Sequence, residues 1–205
     1  MSVVVAIKKD GVVYMGADSQ VTRGGTRISL SNPNNFKIWK VKNVPNCLMG
    51  HVGTIRDACV IRIINDMVDE IDIINDNINF EFVVTKIVPK IIKTLIYNGF
   101  LKEDKILEVM DSSFLFAYKD KLFLINSDYS VIEIDDCVAI GSGENEAIGS
   151  LITTSKDDDS VCRIVKSIKS SAVHDIYVDY PIVLGNTKET ELRIIDEHNI
   201  EKILK

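Results

Sequence analysis

SVVVAIKKDGVVYMGADSQVT, residues 2–22, consists of two apolar runs folded about Lys9-Asp10-Gly11. Ser2–Lys8 and Val12–Asp18 are rich in β-branched residues, and Asp-Gly between two such runs is a strong hairpin signal. A hairpin here has a chemical consequence. It lays the end of the second strand, Gly16-Ala17-Asp18-Ser19-Gln20, beside the start of the first, and so sets Asp18 near Ser2. Ser2 follows Met1 directly, and a small second residue permits removal of the methionine. The amine so exposed has a reference pKa of about 7.7–8.0, low enough to act as general base for the hydroxyl of its own residue. Each feature alone also has a plain reading: serine is common at position 2, and an aspartate often opens a loop.

Working outward, Ser19–Asn35 is rich in Gly, Ser, Thr and Asn and reads as a long loop. Phe36–Val41 and Cys47–Val52 form a second candidate hairpin. Lys37 is embedded in its first strand, opposite Phe36 and Ile38 by the period of two. It either faces water or faces inward and is paired, because an unpaired buried lysine loses its charge. Near Ser2 its ammonium would hold the hydroxyl and lower the pKa of the amine.

Thr54 is a candidate N-cap for a helix from Ile55 to Ile74, with Val60, Ile63, Ile64, Met67, Val68 and Ile71 at three- and four-residue spacing. Its apolar surface is wider than one stripe, as expected of a helix that also packs on a neighbouring subunit. A second helix is expected over Glu81–Asn98, closed by Gly99, with Pro89 as a possible kink. Strands follow at Ser113–Tyr118, Lys121–Asn126, Val131–Ile134 and Cys137–Ile140. Helices follow at Asn145–Thr154 and Ser160–Ser171, then strands at Asp175–Leu184 and Leu192–Asp196. Strands and helices in separate runs indicate an α+β fold. With no repeat, linker or low-complexity tract, one domain over 1–205 is expected.

The 205 residues are 46% apolar and 26% charged, and 24 basic against 30 acidic side chains give a formal net charge of −6. That balance argues against a general nucleic-acid binder, which needs a basic excess to neutralise phosphates. No apolar run reaches the ~20 residues of a membrane span. MSVVVAIKKDG carries neither a basic leader nor a cleavage pattern, so a cytoplasmic location is expected. Cys47, Cys59, Cys137 and Cys162 are scattered singly, which offers neither zinc nor redox spacing. No cofactor is expected.

Ala139-Ile140-Gly141-Ser142-Gly143-Glu144 is a strand entering a glycine turn and a helix. It could cradle a phosphate, although it lacks the full dinucleotide fingerprint and a P-loop lysine. Otherwise it brings backbone close and presents a serine. Together with the N-terminal stretch, this turn resembles the N-terminal-nucleophile hydrolases, specifically proteasome β-type subunits and the bacterial HslV-like peptidases among them. The opening 2–22 runs in register with the family's mature N-terminus. NFKIWKV resembles its lysine strand, LMGHVGTIRDA its glycine strand, VAIGSGENEAIGSL its Ile-Gly-Ser-Gly turn, and SSAVHDIYVDY its second aspartate segment.

The resemblance implies a four-layer αββα sandwich and a peptidase with Ser2 as nucleophile. It implies Asp18 holding Lys37 cationic, an oxyanion donor at Gly50, Ser142 and Asp175 positioning the amine, and Thr22 contacting substrate. Asp57 would stand in the helix that follows the glycine strand. Leu48 and Val52 would line a pocket for an apolar substrate residue. It further implies a homo-oligomeric ring, polypeptide substrates and an AAA+ unfoldase partner, with no role for nucleic acid or membrane. Departures are Ser in place of Thr at the nucleophile, and Val178 where many members carry a small hydroxyl residue. A Met1-retaining, non-catalytic ring subunit and a different amide chemistry, amidase or peptide ligase, remain open at this level.

Overall fold

The computed structural model describes residues 2–29, 31–99, 110–156 and 159–204. Strands β1 (Val3–Lys9) and β2 (Val12–Ala17) pair with Lys9 opposite Val12, leaving Asp10 and Gly11 as a two-residue turn at φ 51° and 72°. Both positive values suit the twist of a tight hairpin, which is why Asp-Gly occupies the turn. Around this hairpin one antiparallel sheet forms in the order β10-β1-β2-β11-β12, with β10 at Cys137–Gly141, β11 at Ile182–Asn186 and β12 at Arg193–Ile195.

A second antiparallel sheet runs β5-β6-β7-β8-β9: Ile38–Lys40, Cys47–Gly53, Ser112–Tyr118, Lys121–Ile125 and Val131–Glu133. Alternation along the strands builds three cores. Val4 and Ala6 of β1 face Leu48, Leu115 and Ala117 between the sheets. Val3, Val5 and Ile7 face outward onto the helices α5 (Glu144–Thr153), α6 (Ser160–His174) and α7 (Glu197–Ile203). Met49, Phe114, Phe116 and Phe123 face the other way onto α1 (Ile55–Arg62), α2 (Glu70–Ile74), α3 (Phe80–Phe82) and α4 (Val88–Tyr97). The result is the four-layer αββα sandwich. Gly16 allows the close approach of α6, since a Cβ there would stand 2.4 Å from Ile164 Cγ2.

Several elements differ from the sequence expectation. The stretch 19–35 contains a hairpin, β3 (Gln20–Arg23) and β4 (Thr26–Ser29), turning at Gly24-Gly25 with φ 53° and 82°. The expected helix Ile55–Ile74 stops at Arg62 and resumes only at Glu70. Side chains take carbonyls that a continuous helix would use: Asn43 donates to Asn65 O at 3.2 Å, and Lys90 to Asp66 O. The second helix spans 80–97, with a π turn at Val83–Ile87 just ahead of Pro89. The wider register there accommodates a residue without an N–H. The strand expected from Asp175 begins only at Ile182, and α7 is an addition to the expected elements. Among the described residues no helix is long and apolar enough to cross a membrane.

Candidate active site

Ser2 precedes β1 and is 5% exposed. The hairpin register, Val4 opposite Ala17, brings Asp18 alongside it. Asp18 is fully buried, and its carboxylate accepts from the backbone N–H groups of Val3 (2.9 Å) and Gln20 (3.0 Å). Lys37 comes from the other sheet, one residue ahead of β5. Its Nζ lies 2.7 and 2.8 Å from the two Asp18 oxygens. Lys37 therefore faces inward and is paired, as a buried ammonium must be. Burial pushes the Lys37 pKa below and the Asp18 pKa above their ordinary values, while mutual attraction and hydrogen bonds oppose both shifts. Two-oxygen contact at these distances, with backbone donors behind it, is the geometry of an ionised pair.

The glycine turn after β10 closes the site from the opposite side. Ser2 N–H donates to Ser142 Oγ at 3.0 Å, and Ser142 Oγ donates to Ser2 O at 3.3 Å. Gly143 N–H also reaches Ser2 O, at 3.4 Å. This turn therefore meets the Ser2 backbone. Gly143 is the N-cap of α5 and Glu144 lies in its first turn, its carboxylate accepting from Gly141 N–H at 3.2 Å. A carboxylate there disfavours the phosphate reading.

Asp175 caps the C-terminus of α6 and accepts Tyr177 N–H at 2.8 Å on Oδ1. Its Oδ2 is buried with no hydrogen-bond partner among the described residues, and its charge acts on Lys37. Thr22 is exposed on β3, accepts from Gln20 Nε2 at 3.1 Å, and lines the same cleft as Ser2.

Three expected placements are corrected. Leu48 is fully buried between the sheets, so it does not line the cleft; a strand residue on that face has only the opposite sheet to meet. Val52 packs near Gly141 and borders a separate depression with Ser142 and Gly53. Gly50 is also remote from the cleft. A Cβ on it would stand 2.8 Å from both Met15 Sδ and Val4 Cγ1, so glycine is needed there for the sheets to approach.

The ladder direction gives the same result. His51 N–H bonds Lys37 O at 2.9 Å on the β5 side, so the Gly50 N–H points to β7. By the same alternation the Gly53 N–H points past the end of β5, into the cleft that Gly53 lines together with Ser2. Gly53 takes φ +114°, and a Cβ would stand 2.1 Å from Asp111 O. The sequence reading took Gly50 for this role, and the direction of the ladder points instead to Gly53, three residues on.

His51 is the other residue that sequence reasoning missed. It lines the cleft 4% exposed, and its Nε2 lies 3.2 Å from Ser112 Oγ, which donates to Asp57 Oδ2 at 2.7 Å. Burial first, then the charges of Lys37 and Arg62, lower its pKa to about 3, so the imidazole is neutral. Asp57 thus anchors this chain from α1.

A juxtaposed serine, lysine and aspartate at the mouth of an αββα sandwich can carry nucleophilic chemistry, and the chain is similar to proteins with that architecture. It is 29% identical over 184 residues to the "ATP-dependent protease subunit HslV" of Borreliella burgdorferi, covering 88% of this chain and 93% of that one. Among solved structures it resembles the Thiobacillus denitrificans protein BPH in complex with epoxomicin (TM-score 0.66, 18% identity, 90% of this chain and 97% of that one). It also resembles the eukaryotic HslV of Trypanosoma brucei (TM-score 0.65, 19% identity, 90% and 98%). Structural likeness at these identities supports the fold. The proteasome subunit family model matches residues 2–182, from the candidate nucleophile to the start of β11, and on that match the chain belongs to the proteasome subunit family.

Proposed function

We propose that this protein is an HslV-type peptidase that hydrolyses peptide bonds with Ser2 as its N-terminal nucleophile. The observation that carries the reading is that Lys37, ion-paired to Asp18, lines the same cleft as Ser2, whose backbone is hydrogen-bonded to Ser142. Once Met1 is removed, the Ser2 amine takes the hydroxyl proton and Ser2 Oγ attacks the carbonyl. Lys37 stabilises the developing alkoxide, and the Gly53 N–H receives the oxyanion, a contribution of about 3–4 kcal/mol in hydrolases of other folds. The unpartnered Asp175 Oδ2 is an acceptor available to the freed amine. The amine then protonates the leaving nitrogen, and water releases the acyl group by the reverse sequence of transfers.

The reading includes a closed homo-oligomeric ring that encloses the sites and an ATP-driven unfoldase that feeds polypeptide into it. Ile63, Ile71 and Ile74 on the α1–α2 layer are 66%, 61% and 70% exposed, consistent with a face covered by a neighbour. Light scattering at micromolar concentration should give a multiple of the 22.9 kDa chain mass, and a monomer would overturn the ring.

The catalytic test is an intact mass combined with an epoxyketone, an electrophile that bridges hydroxyl and amine. Protein lacking Met1 should form a one-to-one adduct on Ser2 and cleave unfolded protein, whereas Ser2→Ala should do neither. Full activity in protein shown to retain Met1 would refute the mechanism.

A further inference from the structure

Arg62, the last residue of α1, brings a positive charge into the Ser2 cleft that no carboxylate among the described residues answers. Its guanidinium donates to the carbonyls of Pro33, Asn34 and Phe36, and it lies 4.8 Å over the Trp39 ring. Neutral carbonyls and an indole face fix its plane and leave its charge in place. Its Nε is buried without a hydrogen-bond partner among the described residues. The cleft is a cavity of about 100 Å³. Its basic residues are Lys37, His51 and Arg62, and no aspartate or glutamate is among its described lining residues. Lys37 is answered by Asp18, which stands behind it. Asp57 is turned away towards Ser112. Burial is the main cause of the lowered His51 pKa, and the charges of Lys37 and Arg62 beside it act in the same direction. In a chain of net charge −6 this is a local reversal of sign, and low-dielectric walls concentrate such a field.

We infer that the Ser2 cleft is a subsite for an anionic side chain, so that the enzyme cleaves after glutamate or aspartate. The inference rests on the reading of Ser2 as nucleophile. The carboxylate would meet Arg62, with neutral His51 and Gln20 as nearby hydrogen-bonding groups, and a lysine entering the same space would be repelled. The family resemblance implied an apolar pocket, but the residues behind that expectation, Leu48 and Val52, do not line this cleft.

Four fluorogenic peptides that differ only in Glu, Gln, Leu or Lys before the cleaved bond test it on the assembled protein. The expected kcat/KM for Glu exceeds that for Gln by about tenfold or more, the order of one charge-assisted contact, and the excess shrinks with added salt. Arg62→Gln should collapse the Glu/Gln ratio to near one, whatever it does to the absolute rate. Leu or Lys preferred over Glu, or a Glu/Gln ratio unchanged in Arg62→Gln, would overturn the subsite. Should Arg62→Gln fail to fold, peptide aldehydes ending in Glu, Gln or Leu provide the same ratio from calorimetric affinity on the unaltered protein. An epoxyketone adduct on Ser2 with Leu preferred sinks the subsite alone, whereas no adduct, no turnover and no aldehyde binding sinks the nucleophile reading with it.

Discussion

A Cβ placed on Gly141 would stand 2.2 Å from the carbonyl oxygen of Ser2, and Gly141 itself takes φ +108°. Both facts exclude any side chain at this position without a shift of the nucleophile. Gly141→Ala should therefore move Ser2 and lower turnover by about a hundredfold, as misplacement by about 1 Å does in other enzymes. The thermal midpoint should fall only modestly, since the rest of β10 is undisturbed. Turnover within a few-fold of the unaltered protein would show that Ser2 is not held through this contact.

Lys37→Ala is expected to abolish turnover and also to destabilise the protein. The pair is 7% and 0% exposed, so removing the cation leaves Asp18 charged or forces it to take up a proton. Breaking such a buried pair from one side costs about 3–5 kcal/mol. Lys37→Met combined with Asp18→Asn should recover much of that stability without recovering activity. Lys37→Arg should not restore turnover, because a planar guanidinium does not fit a site built for a compact ammonium. Denaturant titration beside a peptide assay separates the two effects.

The architecture was legible where local chemistry decided it. Asp10-Gly11 fixed the first hairpin, and period-two alternation in β1, β6 and β7 sorted residues into three cores. Other features depended on partners distant in sequence. Lys37 lies just ahead of β5, where strand period cannot say which way a side chain points, and only Asp18 from the other sheet draws it inward. The helix expected over 55–74 breaks because Asn43 and Lys90 claim carbonyls between Arg62 and Glu70. Gly24-Gly25 was a readable turn signal inside a stretch whose polarity suggested only loop. Gly53 and His51 required the ladder direction, which no composition argument supplies.

His51 gives a pH dependence with a definite sign. Its folded pKa is lowered to about 3, chiefly by burial, against an ordinary value of 6.5. The unfolded chain therefore binds one more proton than the folded one between those values. The stability contributed by neutral His51 is fully present above about pH 6.5 and declines as the pH falls towards 3, by up to about 1.4 kcal/mol per unit. His51→Gln should flatten the stability profile by that slope over the same window, measured as the difference between the two proteins in denaturant titrations. Parallel profiles would mean that His51 is not buried neutral.

The cleft also predicts which cysteine governs access to Ser2. Cys47 is buried in the outer core, with its thiol pushed far up by burial, and should resist alkylation. Cys137 is part-buried, and burial with the charge of Asp136 raises its pKa. Cys59 is exposed on α1 and lines the cleft that holds Ser2. A bulky maleimide should therefore modify Cys59 ahead of the buried thiol and block peptide turnover, because a substituent there occupies space a substrate needs. Preincubation with an epoxyketone bound at Ser2 should slow the modification, and Cys59→Ser should remain active after the same treatment. Mass mapping of the labelled cysteine against residual activity is the measurement. Full activity with Cys59 quantitatively labelled would mean that substrate reaches Ser2 by another route, and the placement of the substrate side chain beside α1 would then be wrong.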